Sequence, residues 1–206
     1  MLELKLEQAG KRFQYEWIFK NLTVTLTPGQ KLAVTGSNGS GKSTLIKCLA
    51  GQMPLSTGAI HYLVGGTPVS SAEIYQHITL SAPYLELPEE FTLAEFLQFH
   101  FRFKTLSPGM TIREAVRIMY LEKSMDKAIR NFSSGMKQRL KLGICFFSSS
   151  PFLLLDEPTS NLDERGVSWY HELVETYGGN KTIVVGSNDP REFTFCSEQL
   201  SIENFK

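Results

Sequence analysis

The most informative segment of this 206-residue chain reads Gly36-Ser37-Asn38-Gly39-Ser40-Gly41-Lys42-Ser43. The residues before it, Lys31 to Thr35, have the apolar middle of a short buried strand, and a helical pattern runs from Lys42 through Ala50. A glycine-rich loop between a strand and a helix is the P-loop pattern, because glycines let several backbone N–H groups surround a phosphate. The helix adds the positive end of its dipole. The segment therefore predicts a polyphosphate-binding loop.

Individual residue types in this loop suit nucleotide chemistry. Lys42 can reach the β- and γ-phosphates, and the hydroxyl of Ser43 can bind Mg²⁺. A chance match is the alternative, but background usage of these residues makes it about a 1% event in a chain of this length. We assign nucleotide binding to the loop and the residue that follows it: Gly36, Ser37, Asn38, Gly39, Ser40, Gly41, Lys42, Ser43 and Thr44.

A second segment with functional residue types reads Phe152-Leu153-Leu154-Leu155-Asp156-Glu157. Continuous apolar residues are typical of a strand that is covered on both faces, as in a parallel sheet. The two carboxylates then fall at the carboxyl edge of that strand, where ligands bind in open α/β sheets. Asp156 resembles the aspartate that holds Mg²⁺ beside a P-loop, and Glu157 is positioned to polarise a water that attacks the γ-phosphate.

Composition excludes several other functions. The chain has 21 basic and 21 acidic residues, and this balance argues against a dedicated nucleic-acid binder. Its three cysteines and four histidines show neither a disulfide framework nor metal-ligand spacing. No segment approaches the roughly 20 apolar residues that span a bilayer, and the N-terminus lacks the apolar core of a secretory signal. We therefore expect a reduced, cytosolic environment.

Patterns elsewhere predict the other strands and helices. Leucines alternate with charged residues over Leu2 to Glu7, and a similar alternation over Leu22 to Leu26 ends at a Pro-Gly turn, so antiparallel strands are expected at the start. The apolar run Thr182 to Val185 predicts another buried strand, and Val167 to Tyr177 reads as a helix. Capping residues mark three more helix starts. These are Thr92, Thr111 and Ser133.

Together these elements predict an α/β fold in a single domain over residues 1–206. We expect a P-loop core with a mostly parallel sheet, and an antiparallel sheet at the N-terminus. These parts are assigned to residues 1–83 and 148–206, approximately, with a helical subdomain inserted at about 84–147. A helix in the insertion is rich in phenylalanine: Phe96, Phe99, Phe101 and Phe103. It predicts either a subdomain core or part of an apolar groove for a membrane partner's helix.

Between the two phosphate-related segments stands Phe132-Ser133-Ser134-Gly135-Met136-Lys137-Gln138-Arg139, and with it the chain resembles the ABC ATPases. The segment is similar to that family's LSGGQ signature, from which it departs at three positions. A serine at a helix start can donate to a γ-phosphate, and a glycine permits close backbone approach. Taken alone, a capped helix without a ligand is the alternative. The resemblance implies that four residues contact the ATP of a partner subunit: Ser133, Ser134, Gly135 and Met136.

Two more segments extend this resemblance, which covers Leu2 to Asp189. The segment from Glu157 to Asp163 matches the family's D-loop, which links one cassette to its twin, and it implies Ser160 and Asp163 as D-loop residues. Lys11-Arg12-Phe13 matches the stretch where the family stacks an aromatic ring on adenine. Phe13 is the first choice for that ring and Tyr15 the second, and core packing is the alternative for either.

The chain departs from the family pattern at two functional positions. The Q-loop glutamine falls at Pro83, whose side chain has no donor or acceptor. The switch histidine is replaced by Asn188, whose amide can bond a γ-phosphate but cannot carry a proton. Because Glu157 and both phosphate-related segments are intact, we expect hydrolysis that is slower but not absent. The catalytic residues are then Glu157, Lys42 and Asn188.

The resemblance implies an ATP- and Mg²⁺-dependent subunit of a membrane ABC transporter, with Ser43 and Asp156 as the metal ligands. Two cassettes, either two copies of this chain or one with a paralogue, would pair head to tail around ATP. They would drive a separate transmembrane permease from the cytoplasmic face of a bacterial membrane. Compact exporter-type subunits, including the haem-exporter class of cytochrome c maturation, have a similar Ser-Ser-Gly-Met-Lys-Gln-Arg run.

Other classes of P-loop protein fit less well. Ribosome-acting ABC ATPases usually carry two cassettes in one chain, chromosome-type heads carry long heptad arms, and P-loop kinases and GTPases do not need the signature or the D-loop. Because of Pro83 and Asn188, the main rival is a degenerate cassette that binds ATP as a structural or regulatory subunit with little turnover. A soluble ABC ATPase without a role in transport is the other alternative.

Overall fold

The computed structural model describes residues 2–206, which form nine strands and five α-helices. The strands are β1 (Leu2–Phe13), β2 (Glu16–Leu26), β3 (Lys31–Thr35), β4 (Thr57–Val64), β5 (Thr67–Val69), β6 (Ile78–Ser81), β7 (Phe152–Asp156), β8 (Thr182–Gly186) and β9 (Glu198–Ser201). The α-helices are α1 (Lys42–Leu49), α2 (Leu93–Phe103), α3 (Ile112–Ile118), α4 (Ser134–Phe147) and α5 (Glu164–Tyr177).

The chain divides into two compact units, each made of more than one segment. The first unit runs to Leu80 and adds Pro151–Glu157 and Asn180–Lys206, whereas the second comprises Ser81–Ser150 and Pro158–Gly179. Within residues 2–206, no helix has the length and apolar character needed to cross a lipid bilayer.

An antiparallel sheet in the first unit has the strand order β2-β1-β4-β5. Along the start of β1 the leucines are buried and the charged residues between them are partly exposed, which is the burial that an alternating pattern predicts. β1 and β2 pair in antiparallel register, with Leu4 opposite Leu26 and Leu6 opposite Val24. The predicted antiparallel start is therefore confirmed, although β1 continues beyond Glu7 to Phe13.

The second sheet has the order β6-β7-β8-β3-β9, and β3, β7, β8 and β9 pair in parallel. Every residue of β7 and β8 is buried, as the continuous apolar runs predicted. Since the carboxyl ends of β3, β7 and β8 share one edge, this edge collects the P-loop, the Asp156-Glu157 pair and Asn188. The predicted α/β fold with a P-loop core is confirmed.

Helices α2 to α5 belong to the second unit. Thr92 and Thr111 each form a complete capping box, and the Ser133 hydroxyl accepts the N–H of Met136 at 3.2 Å, so all three predicted helix starts are confirmed. α5 begins at Glu164 rather than at the predicted Val167, because the carboxylate of the preceding aspartate caps it. On α2, Phe96 is buried while Phe99 and Phe103 are exposed, so the core interpretation of this helix holds for Phe96.

We predict that Gly143→Ala destabilises the protein, although alanine is normally favoured over glycine inside a helix by about 1 kcal/mol. A β-carbon at this position of α4 would overlap with Sδ of Met119, whose side chain is fully buried. Overpacking of this kind typically costs about 1–3 kcal/mol. Urea unfolding followed by circular dichroism should show a lower free energy of unfolding for the variant.

Shortening the overlapping side chain provides the control. Met119→Ala alone should also destabilise, because it leaves a cavity. The double variant should then lose less free energy of unfolding than the two single variants lose together, because the added methyl group enters the vacated space. A Gly143→Ala variant as stable as the wild type would contradict this account of the α3–α4 contact.

Candidate functional site

The P-loop connects β3 to α1, as the sequence predicted. Gly36, Gly39 and Gly41 have φ values of +146°, +77° and +113°, which side chains other than glycine rarely allow. The loop folds around Lys42, whose Nζ donates to the carbonyl oxygens of Gly36 at 2.8 Å and Ser37 at 3.0 Å. The lysine is thereby buried inside the loop and satisfied by acceptors that phosphate oxygens can replace.

A pocket of about 190 Å³ lies over this loop in the first unit. Its lining consists of Ile18, Asn38, Gly39, Gly41, Lys42, Ser43, Thr44 and Glu157. The predicted phosphate-binding loop and the predicted water-polarising carboxylate therefore share one pocket, although they are far apart in the sequence.

Asp156, the last residue of β7, is the buried carboxylate of this site. The residue is 1% exposed, and neither carboxylate oxygen has a hydrogen-bond partner among the residues that the structure describes. Burial raises the pKa of Asp156 to about 6, and the Ser43 hydroxyl, which lies nearby but outside hydrogen-bonding geometry, partly offsets that rise. Carboxylate and hydroxyl oxygens are ligands that Mg²⁺ accepts. The residues present therefore fit the predicted Mg²⁺ site, because a cation would compensate the unpaired carboxylate.

Glu157 follows immediately and has a strained backbone. Its φ is +44°, in the left-handed region that residues other than glycine and asparagine seldom occupy. Its N–H donates to the carbonyl oxygen of Gly186 at 2.9 Å, which ties the strained residue to the end of β8. Strain of this kind persists only where the surrounding structure fixes it, and here it directs a half-buried carboxylate into the pocket.

Asn188, at the predicted switch position, contacts the P-loop. It follows β8, and its Nδ2 donates to Oδ1 of Asn38 at 3.0 Å. Both side chains are exposed, so a ligand at this position would compete with the hydrogen bond between Asn38 and Asn188.

The aromatic residues predicted for adenine stacking lie at the end of β1 and in the turn that follows. Phe13 is 46% exposed, and Nζ of Lys11 lies 5.2 Å from the centre of its ring. Tyr15 is 97% exposed. Simple core packing is therefore excluded for both rings, but neither of them lines the 190 Å³ pocket.

The signature residues lie at the start of α4 in the second unit. Ser133 and Ser134 are exposed, whereas Gly135 and Met136 are half-buried. A β-carbon on Gly135 would lie 3.3 Å from the carbonyl oxygen of Asn161, so this glycine allows the helix start to approach the D-loop backbone. Signature and D-loop segments are thus neighbours within this unit.

The D-loop residues predicted from the sequence have contrasting surroundings. Asp163 is the N-terminal cap of α5, and its carboxylate accepts the N–H of Gly166 at 2.8 Å. The hydroxyl of Ser160 is buried and has no hydrogen-bond partner among residues 2–206. Asp163 therefore stabilises the start of α5, whereas no contact within the described residues accounts for the hydroxyl of Ser160.

Pro83 lies in the loop that follows β6. The side chain of Pro83 cannot form hydrogen bonds, but its carbonyl oxygen accepts one from Nζ of Lys141 at 3.2 Å. The same Nζ donates to the carbonyl oxygen of Ala82 at 3.1 Å. No motif in the sequence points to Lys141 or to Glu203, which accepts two hydrogen bonds from Ser37. No short-range pattern identifies either residue, because both partners are distant in the sequence.

Comparisons with known proteins agree with this geometry. Residues 19–160, which are more than half of the chain, match the family described as ABC transporter. The mouse phospholipid-transporting ATPase ABCA3 is 29% identical over 210 aligned residues, and the alignment covers 97% of this chain but 12% of that much longer protein. The cytochrome c biogenesis ATP-binding export protein CcmA of Xylella fastidiosa is 32% identical over 152 residues, which cover 74% of this chain and 70% of that protein.

A solved structure shows the same fold. The dimeric structure of a bacterial ABC transporter cassette superimposes with a TM-score of 0.78 at 20% identity, covering 97% of this chain and 95% of that one. The fold, the ordered motifs and the family match lead to one conclusion. This chain belongs to the ABC transporter family.

Proposed function

We propose that this chain is a cassette that binds and hydrolyses ATP and thereby powers transport across a membrane. The observation that supports this most directly is the pocket shared by Lys42, Ser43 and Glu157. A lysine, a hydroxyl and loop N–H groups bind a polyphosphate, and a carboxylate beside them orients the attacking water. These are the groups that phosphoryl transfer to water requires.

In this proposal, the β- and γ-phosphates of ATP bind Lys42 and compete with the carbonyl oxygens of Gly36 and Ser37 for its N–H donors. Ser43 and Asp156 would hold Mg²⁺, which neutralises phosphate charge when it is bound. Glu157 then orients a water towards the γ-phosphorus and accepts its proton. The bond from the γ-phosphorus to the bridging oxygen breaks, so ADP leaves and inorganic phosphate forms. Asn188 donates its amide hydrogen to the γ-phosphate after its bond to Asn38 breaks.

The proposal includes a second cassette, either another copy of this chain or a paralogue. The residues at the start of α4 expose a capped helix N-terminus that can face the phosphates of a partner's ATP. Ser160 and Asp163 belong to the D-loop segment that we place beside the partner, because this segment adjoins the start of α4, where Asn161 lies next to Gly135. Similarity to a cassette described as dimeric supports this arrangement.

A membrane permease is the further partner that we propose, on the cytoplasmic face of the membrane. The second unit contains a groove of about 840 Å³ between α2 and α3, which is mainly apolar and has charged side chains among its lining residues. The uncharged residues that line the groove are Ala94, Gln98, Ile112, Val116 and Met125. The charged residues that line it are Arg113, Glu114, Arg117 and Glu122. A short amphipathic helix of a permease loop fits such a groove. The phenylalanines of α2 do not line this groove, to which α2 contributes Ala94 and Gln98.

Calorimetry and phosphate release test the central proposal. The wild type should bind Mg-ATP and release phosphate at steady state. Lys42→Ala should abolish binding, whereas Glu157→Gln should bind Mg-ATP normally and lose about 100-fold or more in turnover, since it lacks the base. The absence of binding heat in the wild type would exclude an ATP-dependent function. If the wild type binds Mg-ATP but releases phosphate no faster than Glu157→Gln, the chain is instead a degenerate cassette.

We predict that Asn188→His raises the turnover number by about tenfold, because imidazole can carry charge and a proton at the γ-phosphate where an amide cannot. Steady-state phosphate release at saturating Mg-ATP measures this effect. Asn38→Ala is the control, since it breaks the Asn38–Asn188 bond without adding an imidazole, and it should not raise the rate. An unchanged rate in Asn188→His would contradict the proposed reason for slow hydrolysis.

Ala94→Arg should release the chain from membranes, because the longer, charged side chain projects into the groove between α2 and α3 and obstructs a helix there. The measurement is the fraction of tagged chain that sediments with membranes from the cells in which it is naturally expressed. Ser168→Arg, at an exposed position of α5 outside the groove, is the matched control and should sediment like the wild type. If Ala94→Arg also sediments like the wild type, the groove is not the permease contact.

A further inference from the structure

The turn Ile202–Phe205, which follows β9, lies against the P-loop in the first unit. Its Glu203 accepts two hydrogen bonds from one P-loop residue, since Oε1 binds the N–H of Ser37 at 3.1 Å and its hydroxyl at 2.6 Å. The neighbouring Ile202 is fully buried beneath the loop. A β-carbon on Gly36 would lie 3.0 Å from Cγ2 of Ile202, so the turn and the loop are in close contact.

The loop is thus held from two sides. From inside, Lys42 binds the carbonyl oxygens of Gly36 and Ser37, whereas from outside Glu203 binds the N–H and the hydroxyl of Ser37. When a polyphosphate enters, its oxygens compete for the three N–H donors of Lys42, two of which bind these carbonyl oxygens. The inner bonds are then weakened, whereas the bonds to Glu203 and the bond from the N–H of Ser40 to the carbonyl oxygen of Ser37 at 3.1 Å do not involve the lysine.

The negative charge of Glu203 is compatible with an anionic ligand nearby. Its carboxylate is exposed, so water and salt screen its repulsion of phosphate. The hydrogen bonds from Ser37 lower the pKa of Glu203, and Lys206 and Lys42 contribute in the same direction. The carboxylate is therefore charged at neutral pH and a strong acceptor for the loop.

We propose that Glu203 is a positioning residue that keeps the P-loop in its phosphate-binding shape while Lys42 binds the phosphates. This inference rests on the proposed ATP binding and adds a residue to it. Glu203 bonds to the loop and does not line the pocket, so its loss should weaken nucleotide affinity and leave the chemical step unchanged.

The test compares Glu203→Ala, Glu203→Gln and Glu198→Ala with the wild type, using calorimetry with Mg-ATP and steady-state phosphate release. Glu203→Ala should raise Kd and KM about fivefold, because it removes both of the exposed hydrogen bonds from Ser37, with kcat unchanged. Glu203→Gln keeps an acceptor oxygen at the same position and should recover most of the affinity. Glu198, in β9, is an exposed carboxylate outside the contact with the P-loop, so Glu198→Ala should behave like the wild type.

Hydrogen exchange of the nucleotide-free protein gives a second measurement that does not depend on ATP. The amide of Ser37 should exchange faster in Glu203→Ala than in the wild type, and Glu203→Gln should restore its protection.

Three outcomes would overturn the inference. Equal or tighter Mg-ATP binding by Glu203→Ala, with normal binding by the wild type, would refute it and leave the proposed function intact. A joint fall in kcat and melting temperature that Glu203→Gln does not rescue would show that the turn only supports the fold. No binding by the wild type would refute the proposed function and this inference with it.

Discussion

Two opposite charges are buried at the carboxyl edge of the parallel sheet, and the nearby structure is arranged around them. Lys42 is 5% exposed and satisfied by carbonyl oxygens of its own loop, whereas Asp156 is 1% exposed with no hydrogen bond to its carboxylate among the described residues. An unpaired buried carboxylate is costly, which is why burial raises its pKa. β7, covered on both faces, holds the carboxylate in place despite this cost. In the proposed function, a polyphosphate would pair with the lysine and a cation with the carboxylate.

The same edge imposes constraints on the neighbouring strand. Gly186 is opposite Asp156 in the parallel register, and a β-carbon on it would lie 3.0 Å from the Asp156 carboxylate. Its carbonyl oxygen also accepts the N–H of Glu157, whose backbone is strained. A glycine at the end of β8 thus leaves space for one carboxylate and fixes the direction of the other. Strain and desolvation both fall on the residues proposed for catalysis, and the fully buried strands behind them compensate for that cost.

The sequence predicted those parts of the fold whose signals are local. Capping boxes at Thr92 and Thr111, the glycines of the P-loop and the apolar runs of β7 and β8 each depend on residues close together in the chain. β5 and β9 escaped prediction because β5 contains Pro68 and neither strand has a buried residue, so no alternating pattern marks them. β4 has one buried residue, so its sequence likewise shows no alternating pattern that predicts a strand. Glu203 escaped for another reason: its contact with Ser37 spans 166 residues and exists only because β9 pairs with β3.

Pro83 illustrates how a departure from the family pattern can leave a loop well anchored. Proline lacks an N–H and a polar side chain, but it retains its carbonyl oxygen, and this atom is the one that Lys141 binds. On the same helix, the buried Gln138 donates to the carbonyl oxygen of Pro158 at 2.6 Å. Long side chains of α4 therefore tie two loops to the signature helix through backbone acceptors, which every residue provides. Attachment of the loop does not depend on the side chain at position 83. What the proline removes is a side-chain donor and acceptor at this position.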